Sequence, residues 1–220
     1  MASARTGFPS TAAPHQKLLD DHRFRALLPS EDWGRLPVAI WRRFSKRLME
    51  GATVIYVGEI EEASFSPAGW WIAQAARLIG GPLPMRAETG VPIIVAVTED
   101  AASGGQIWTR ICARRNGFPQ VIHSVKRFAG PTGLEEYVGL GISMALKVAV
   151  AYDALVFSSA GYAVQFGRLR LPLPDWLTPG DLAVTHSDLG AGVFRFTLEI
   201  IHPRFGWLLR QSAVFREAVS

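Results

Sequence analysis

Cysteine is scarce in this sequence, since Cys112 is the single one among 220 residues. A lone cysteine excludes an internal disulfide and fits a reducing compartment, so we predict a cytoplasmic protein. Long apolar runs are also missing, because the longest one, residues 138–151, contains Lys147 and is too short to cross a bilayer. Residues 1–16 lack the apolar core of a signal peptide and have the composition of a disordered tail. Residues 17–220 are then predicted to form a single globular domain.

Positive charge is only in slight excess. The net charge is +4 and the pI is about 9.6, but the basic residues are scattered along the chain with acids between them. A protein that binds nucleic acid concentrates its basic residues on one face or stripe, so we exclude a nucleic acid as partner. Hydrophobic residues make up 49% and charged residues 19%, which is typical of a globular domain with a substantial core.

The motifs of common cofactor and metal sites are missing as well. Residues 139–144 begin like a dinucleotide fingerprint, but Met144 stands where the third glycine belongs. Ser143 lies in a G-x-S-x-A segment that resembles a nucleophile elbow, yet the alternation of a strand continues through it. His186 and Asp188 would supply two metal ligands without a third. We therefore predict no cofactor and no metal.

The chain does contain a long series of alternating segments. Apolar residues recur at every second position in residues 142–150 and 194–200, which is the period of a half-buried strand. About nine such segments follow one another, with turn residues between them. We predict an α+β fold that is mainly β: an antiparallel meander sheet curled into a barrel or half-barrel, with two helices in the N-terminal third. A curled sheet can enclose a cavity of ligand size.

Two helices are predicted before the strands dominate. Residues 37–48 have proline at the first helical position and apolar residues at helical spacing. A second helix begins at Pro67 and ends at Gly80. Its apolar stripe is predicted to pack on the sheet and consists of Trp70, Trp71, Ala75 and Leu78. The alternative is that the tryptophan pair lines a ligand cavity.

One hairpin carries an unusual pair of polar residues. The Asn-Gly pair at residues 116–117 favours a type I′ turn, which needs positive φ at both central positions. With this turn, Arg110 faces His123 and Trp108 lies beside them on the same face. A slip of one residue would exchange the partners.

The next strand adds a carboxylate to this face, because its predicted register places Arg127 opposite Glu136. The candidate ligand-binding residues that then share one face are Trp108, Arg110, His123, Arg127 and Glu136. An arginine–carboxylate pair beside a histidine can orient a ligand carboxylate or tune a general base. The alternative is a cross-strand salt bridge on a half-solvated face, worth under ~1 kcal/mol. No catalytic residue is assigned.

Several segments, taken in order, resemble a known family. They are GGQIWTR, HSVKRF, GLEEYVGLGISMALKV, ALVFSSAGY, RLRLPLPDWLTPG and GVFRFTLEIIHPRFGWLLRQ. This succession is similar to a bacterial domain-of-unknown-function family, number 4166, over residues 36–215, in the stand-alone form. Other members are fused behind dehydrogenase-like domains. The resemblance implies motif positions and no activity, and those positions are Trp108, Arg110, Glu136, Pro172, Pro174, His202, Pro203 and Gly206.

Three functions fit these observations. The first is a binding domain that holds a small hydrophobic or amphipathic ligand in a cavity of the curved sheet. The second is an enzyme that uses Arg110, His123 and Glu136 for acid–base chemistry on a carboxylate or carbonyl substrate. The third, implied only by the family's fusions, is an accessory domain that partners a dehydrogenase.

Overall fold

Alternating apolar and polar residues form long strands that close into a ten-stranded antiparallel barrel. The computed structural model describes residues 19–48, 51–167 and 169–218, and the predicted tail of residues 1–16 lies outside them. In chain order the strands are β1 (Leu19–Asp20), β2 (Lys46–Arg47), β3 (Thr53–Phe65), β4 (Val91–Asp100), β5 (Gly105–Cys112), β6 (Gln120–Arg127), β7 (Glu135–Gly139), β8 (Ile142–Ala151), β9 (Ala154–Phe166), β10 (Leu169–Pro172), β11 (Asp181–Gly190), β12 (Val193–His202) and β13 (Gly206–Glu217).

Short helices join or precede these strands. They are α1 (Ser30–Arg35), α2 (Val38–Phe44) and α3 (Pro67–Ala75), with 3₁₀ turns at Arg25–Leu27, Ala76–Ile79 and Asp175–Leu177. Ser66 caps α3, since its Oγ accepts a hydrogen bond from the backbone N–H of Gly69 at 3.1 Å. The helix lies so close to β13 that a Cβ at Gly69 would collide with the carbonyl group of Leu208. A glycine is therefore required where α3 packs on the barrel.

The sheet closes because its first long strand pairs with its last. The order around the ring is β3-β4-β5-β6-β7-β8-β9-β11-β12-β13, and β13 returns to β3. β10 extends the sheet from the end of β9, while β1 and β2 form a separate pair. All neighbours are antiparallel, so successive connections alternate between the two ends of the barrel.

The two ends are named here by the connections they carry. The mouth end carries the connections β3–β4, β5–β6, β7–β8, β9–β11 and β12–β13. The plugged end carries β4–β5, β6–β7, β8–β9 and β11–β12, together with residues 21–45. Phe24 and Arg23 fix this segment in place, because Phe24 packs on Phe128 of the β6–β7 connection and Arg23 donates to the carbonyl of Gly104 after β4.

An aromatic cluster seals the plugged end. Phe24 is fully buried, and its ring lies 5.2 Å from that of Phe44 and 6.2 Å from that of Phe157. The buried ring of His186 stacks on Phe194 at 5.1 Å, and its Nε2 lies 3.0 Å from Nη1 of Arg43. The apolar faces of α1 and α2 thus complete the core at this end of the barrel.

The mainly β barrel predicted from the sequence is confirmed. The predicted packing of the α3 stripe is wrong, because Trp70, Trp71 and Leu78 are 44%, 69% and 84% exposed. The small residues Gly69 and Ala73 face the barrel instead, since only they permit the close approach of helix and strand. None of the helices in the described ranges has the length and apolar character needed to cross a membrane.

Candidate functional site

A cavity of about 580 Å³ occupies the barrel interior and reaches the mouth end. Its floor is formed at the plugged end by Phe44, Phe157 and Phe215. Its walls are mostly apolar and include Ile93, Val95, Ile122, Val138, Met144, Val184, Phe196 and Ala213. Volumes of this size suit one small organic molecule, and apolar walls with few polar groups are typical of ligand sites.

The register of β5 against β6 decides which side chains enter the cavity. Trp108 pairs with Ser124 and Arg110 with Ile122, which is one residue away from the predicted register. The physical reason is the connection at residues 113–119, where Gly117 has a φ of +92° while Asn116 does not adopt positive φ, so no type I′ turn forms. The loop is held open by Glu88, whose Oε2 accepts a hydrogen bond from the backbone N–H of Arg115 at 2.9 Å.

The next register differs from prediction by one residue as well. Lys126 pairs with Glu136, whereas the sequence predicted that Arg127 would face Glu136. The second slip offsets the first, so Glu136 still lies on the inner face with Trp108 and Arg110. β6, which lies between β5 and β7, therefore presents the opposite face to the barrel interior from the one predicted. Ser124 and Lys126 face inward in place of His123 and Arg127.

Two cations share one carboxylate inside the barrel. Nη2 of Arg110 donates to Oε1 of Glu136 at 3.2 Å, and Nζ of Lys126 donates to Oε2 at 2.7 Å. Nη1 of Arg110 also donates to the Ser124 hydroxyl at 3.3 Å. Lys126 and Glu136 are each 7% exposed, whereas the Arg110 side chain is 28% exposed. Arg110 is therefore the charged member of the cluster that faces open space.

The two neighbouring cations favour the ionised form of the Glu136 carboxyl group. Burial alone would raise the pKa of the Glu136 carboxyl, but Lys126 and Arg110 outweigh that effect and hold the pKa well below its usual range. Burial lowers the pKa of the Lys126 ammonium, and Glu136 opposes this shift. The formal charges of Arg110, Lys126 and Glu136 sum to one positive unit, which favours an anionic partner.

Aromatic rings support the buried ammonium group. Nζ of Lys126 lies 5.2 Å from the ring centre of Trp108 and 5.6 Å from that of Phe157, within the range of a cation–π contact. The Trp108 indole N–H donates to Oε1 of Gln106 at 3.2 Å, which fixes the ring. Lys126 therefore lies toward the floor of the cavity, where Phe157 also packs, whereas Arg110 is two residues from the mouth end of β5.

His123 and Arg127 lie on the outer face of the barrel. His123 is exposed, and its Nδ1 lies 3.1 Å from the hydroxyl of Thr109. The Arg127 guanidinium stacks over the ring of Tyr137 at 4.3 Å. The prediction that these two residues share a face with Trp108, Arg110 and Glu136 is wrong because of the register slip.

The predicted acid–base set is not assembled in this arrangement. His123 is outside the barrel, and the lowered pKa of Glu136 leaves that carboxylate a weak base at neutral pH. Burial raises the pKa of the Cys112 thiol to about 11, so this cavity-lining residue is a poor nucleophile. Within the described ranges, no group of three His, Cys, Asp or Glu side chains is placed to hold a metal ion.

Ser124 and Lys126 are the site residues that sequence reasoning missed. Alternate residues of a strand face the same side, so Ser124 and Lys126 lie on the same face of β6 as the apolar Ile122. This alternation is the signal that could have identified Lys126. Because the predicted register put His123 and Arg127 on the inner face, it put Lys126 on the outer face, yet the buried partner Glu136 compensates the charge of Lys126.

The remaining motif residues lie at the mouth, in the β9–β11 and β12–β13 connections or at the strand ends beside them. His202 lines the cavity, its Nδ1 accepts a hydrogen bond from the backbone N–H of Arg204 at 3.0 Å, and its ring lies 4.7 Å from that of Phe205. Gly206 begins β13 with a φ of +66°, a conformation that favours glycine after the turn. Pro172 ends β10 on the path to the 3₁₀ turn at Asp175–Leu177.

The chain belongs to the family described as a domain of unknown function (DUF4166), whose sequence model matches residues 36–215. The match spans the barrel and α2 and includes all the inward-facing residues of the cluster. No curated protein and no solved structure matches the chain.

Proposed function

We propose that this protein binds one small amphipathic molecule inside the barrel, with an anionic headgroup at Arg110 and an apolar body along the walls. The observation that carries the proposal is the cavity of about 580 Å³, whose mostly apolar walls hold one cluster of charged side chains with a formal net positive charge. A long-chain carboxylic acid has the matching chemistry, because its head pairs with a guanidinium and its tail takes the apolar space.

Arg110 is the residue proposed to contact the headgroup. A guanidinium has five N–H donors, and in the described residues those of Arg110 are directed at one oxygen of Glu136 and at the Ser124 hydroxyl. Arg110 lines the cavity, and 28% of its side chain is exposed. A ligand carboxylate there would gain charge-assisted hydrogen bonds in a site largely shielded from water.

Lys126, Glu136 and Trp108 are proposed to position Arg110. Glu136 orients the guanidinium, Lys126 compensates Glu136, and Trp108 packs against Lys126. The carboxylate thus holds two cations close together without neutralising both. A ligand anion would complete the charge balance of the cluster.

A titration with a fluorescent long-chain fatty acid tests this proposal in solution. We expect Arg110→Met to weaken binding about 10- to 100-fold, because a hydrogen bond to a charged group contributes roughly 1.5–3 kcal/mol. The matched control is Arg127→Met, which removes the same side chain from the outer face of the neighbouring strand and should leave the affinity unchanged. Arg110→Lys keeps the charge and should give an intermediate affinity.

Two results would contradict the proposal. The first is a wild-type protein that does not bind the probe, and the second is equal affinity in wild type and Arg110→Met when both show the same thermal unfolding. The methyl ester of the same acid separates the contribution of the headgroup from that of the apolar tail. It should bind the wild-type protein more weakly than the acid does, and the Arg110→Met substitution should reduce its affinity only slightly.

A further inference from the structure

Large apolar side chains are concentrated on the solvent side of the mouth end. We call these exposed residues the mouth rim: Trp70, Trp71, Leu78, Phe118, Leu140, Phe166, Leu169, Leu171, Trp176, Leu177, Phe205 and Trp207. They come from all five connections of that end or the strand ends next to them. At the plugged end the large apolar residues exposed in the described ranges are Val38, Ile55, Tyr152 and Leu189. Such a one-sided surface indicates an interaction site.

The mouth rim is continuous with the cavity lining. Trp176, Leu177 and Phe205 line the cavity and are nevertheless 65%, 55% and 60% exposed. The rim therefore surrounds the opening through which a ligand would enter. A rigid protein partner seated on the whole ring would close that opening, whereas a fluid lipid surface would leave the apolar path intact.

Arginines border the rim on one side. A groove of about 780 Å³ beside α3 is lined by Arg77, Arg86 and Arg114, and it shares Pro84 and Cys112 with the cavity. Arg77 and Arg86 are exposed, and neither forms an ion pair with another residue in the part of the chain that the structure describes. Their charges are available to phosphate groups outside the protein.

We infer that the mouth rim docks on an anionic lipid bilayer, with its tryptophans at the level of the headgroups and Arg77 and Arg86 against lipid phosphates. Tryptophan has an apolar body and a polar N–H, which is why it favours the membrane interface. Arginines that lie next to the membrane surface add electrostatic attraction to anionic lipids. The inference extends the proposed function, because a bilayer is a reservoir of long-chain acids and the cavity opens toward it.

Co-sedimentation with vesicles tests the docking surface, using phosphatidylcholine alone and phosphatidylcholine mixed with phosphatidylglycerol. We expect the full chain to bind the anionic vesicles and to release as salt rises. Trp71→Ala should weaken this binding about tenfold, because its exposed ring loses its apolar transfer into the interface. The double variant Arg77→Gln/Arg86→Gln should weaken it by about 25-fold, at about fivefold for each arginine near the surface.

Matched controls come from the plugged end. Tyr152→Ala removes a fully exposed aromatic ring there, and Arg25→Gln/Arg42→Gln removes two exposed charges. Both controls should bind vesicles like wild type. The inference is overturned when the wild-type chain ignores anionic vesicles, or when the plugged-end variants lose as much binding as the mouth variants, which would indicate unspecific attraction of a basic chain. The fatty-acid titration in vesicle-free solution judges the proposed function separately, since Trp71→Ala should keep its affinity there.

Discussion

The two ends of the barrel use the same residue types in opposite ways. At the plugged end, Phe24 and Phe44 pack into a sealed cluster, and Arg43 lies over the ring of Phe194 at 3.8 Å. At the mouth end, tryptophans and arginines such as Trp71 and Arg77 are turned to solvent. Burial of aromatic rings stabilises a fold, while their exposure costs solubility and needs a functional reason. The difference favours a structural role for the plugged end and agrees with the binding roles proposed for the cavity and the mouth rim.

The largest expected effect of a single substitution is at the sealed end. Phe24→Ala should lower the free energy of unfolding by about 3–5 kcal/mol, because it leaves a cavity among rings that cannot all close in. Trp71→Ala, which removes an even larger ring at the mouth, should change stability by less than about 0.5 kcal/mol. Chemical denaturation of both variants beside wild type measures the difference. Equal losses of unfolding free energy in the two variants would contradict the assignment of the stabilising aromatic cluster to the plugged end.

A smaller effect on the free energy of unfolding, also at the plugged end, depends on pH. Burial together with the nearby Arg43 lowers the pKa of His186 to about 3, so the folded protein holds this histidine neutral. In the unfolded chain the pKa is about 6.5, and therefore the unfolded state binds more protons as pH falls below that value. His186 contributes its full stability above pH 6.5 and progressively loses it down to pH 3.

The size of this pH effect follows from linkage. Between pH 7 and pH 5 the loss attributable to His186 should be about 2 kcal/mol. The variant His186→Leu should show a flatter stability profile over the same interval, as measured by urea denaturation at each pH. A profile as steep as that of the wild type would mean that other groups set the acid sensitivity.

Strand alternation predicted the barrel because the period of two reports which residues share a face, whatever the pairing partner. Register is a different matter, since it depends on the loop between two strands. At residues 113–119 the Asn-Gly signal was overridden by Glu88 and Thr89, which bind Arg115 from another connection. No local pattern contains that tertiary contact.

Part of the candidate site, the grouping of Glu136 with Trp108 and Arg110, was predicted correctly only because two errors cancelled. Two one-residue slips offset each other, so Glu136 joined Trp108 and Arg110 as predicted, while β6 between them was inverted. Trp70 and Trp71 show a second limit, because helical spacing alone does not tell which stripe of α3 faces the barrel. Because α3 lies very close to β13, the side of the helix that faces the barrel is the one with the small residues Gly69 and Ala73. The predicted ligand-binding role of the inward residues and the predicted dehydrogenase partner stay predictions.

Native mass spectrometry of the full chain, after exposure to a mixture of long-chain acids, alcohols and esters, tests whether Arg110 binds the headgroup of a ligand in the cavity. We expect one bound molecule per chain, selected from the acids, and its loss in Arg110→Met but not in Arg127→Met. A bare wild-type chain, or binding that takes alcohols and esters as readily as acids, would contradict the assignment of Arg110 as the headgroup site of a ligand cavity.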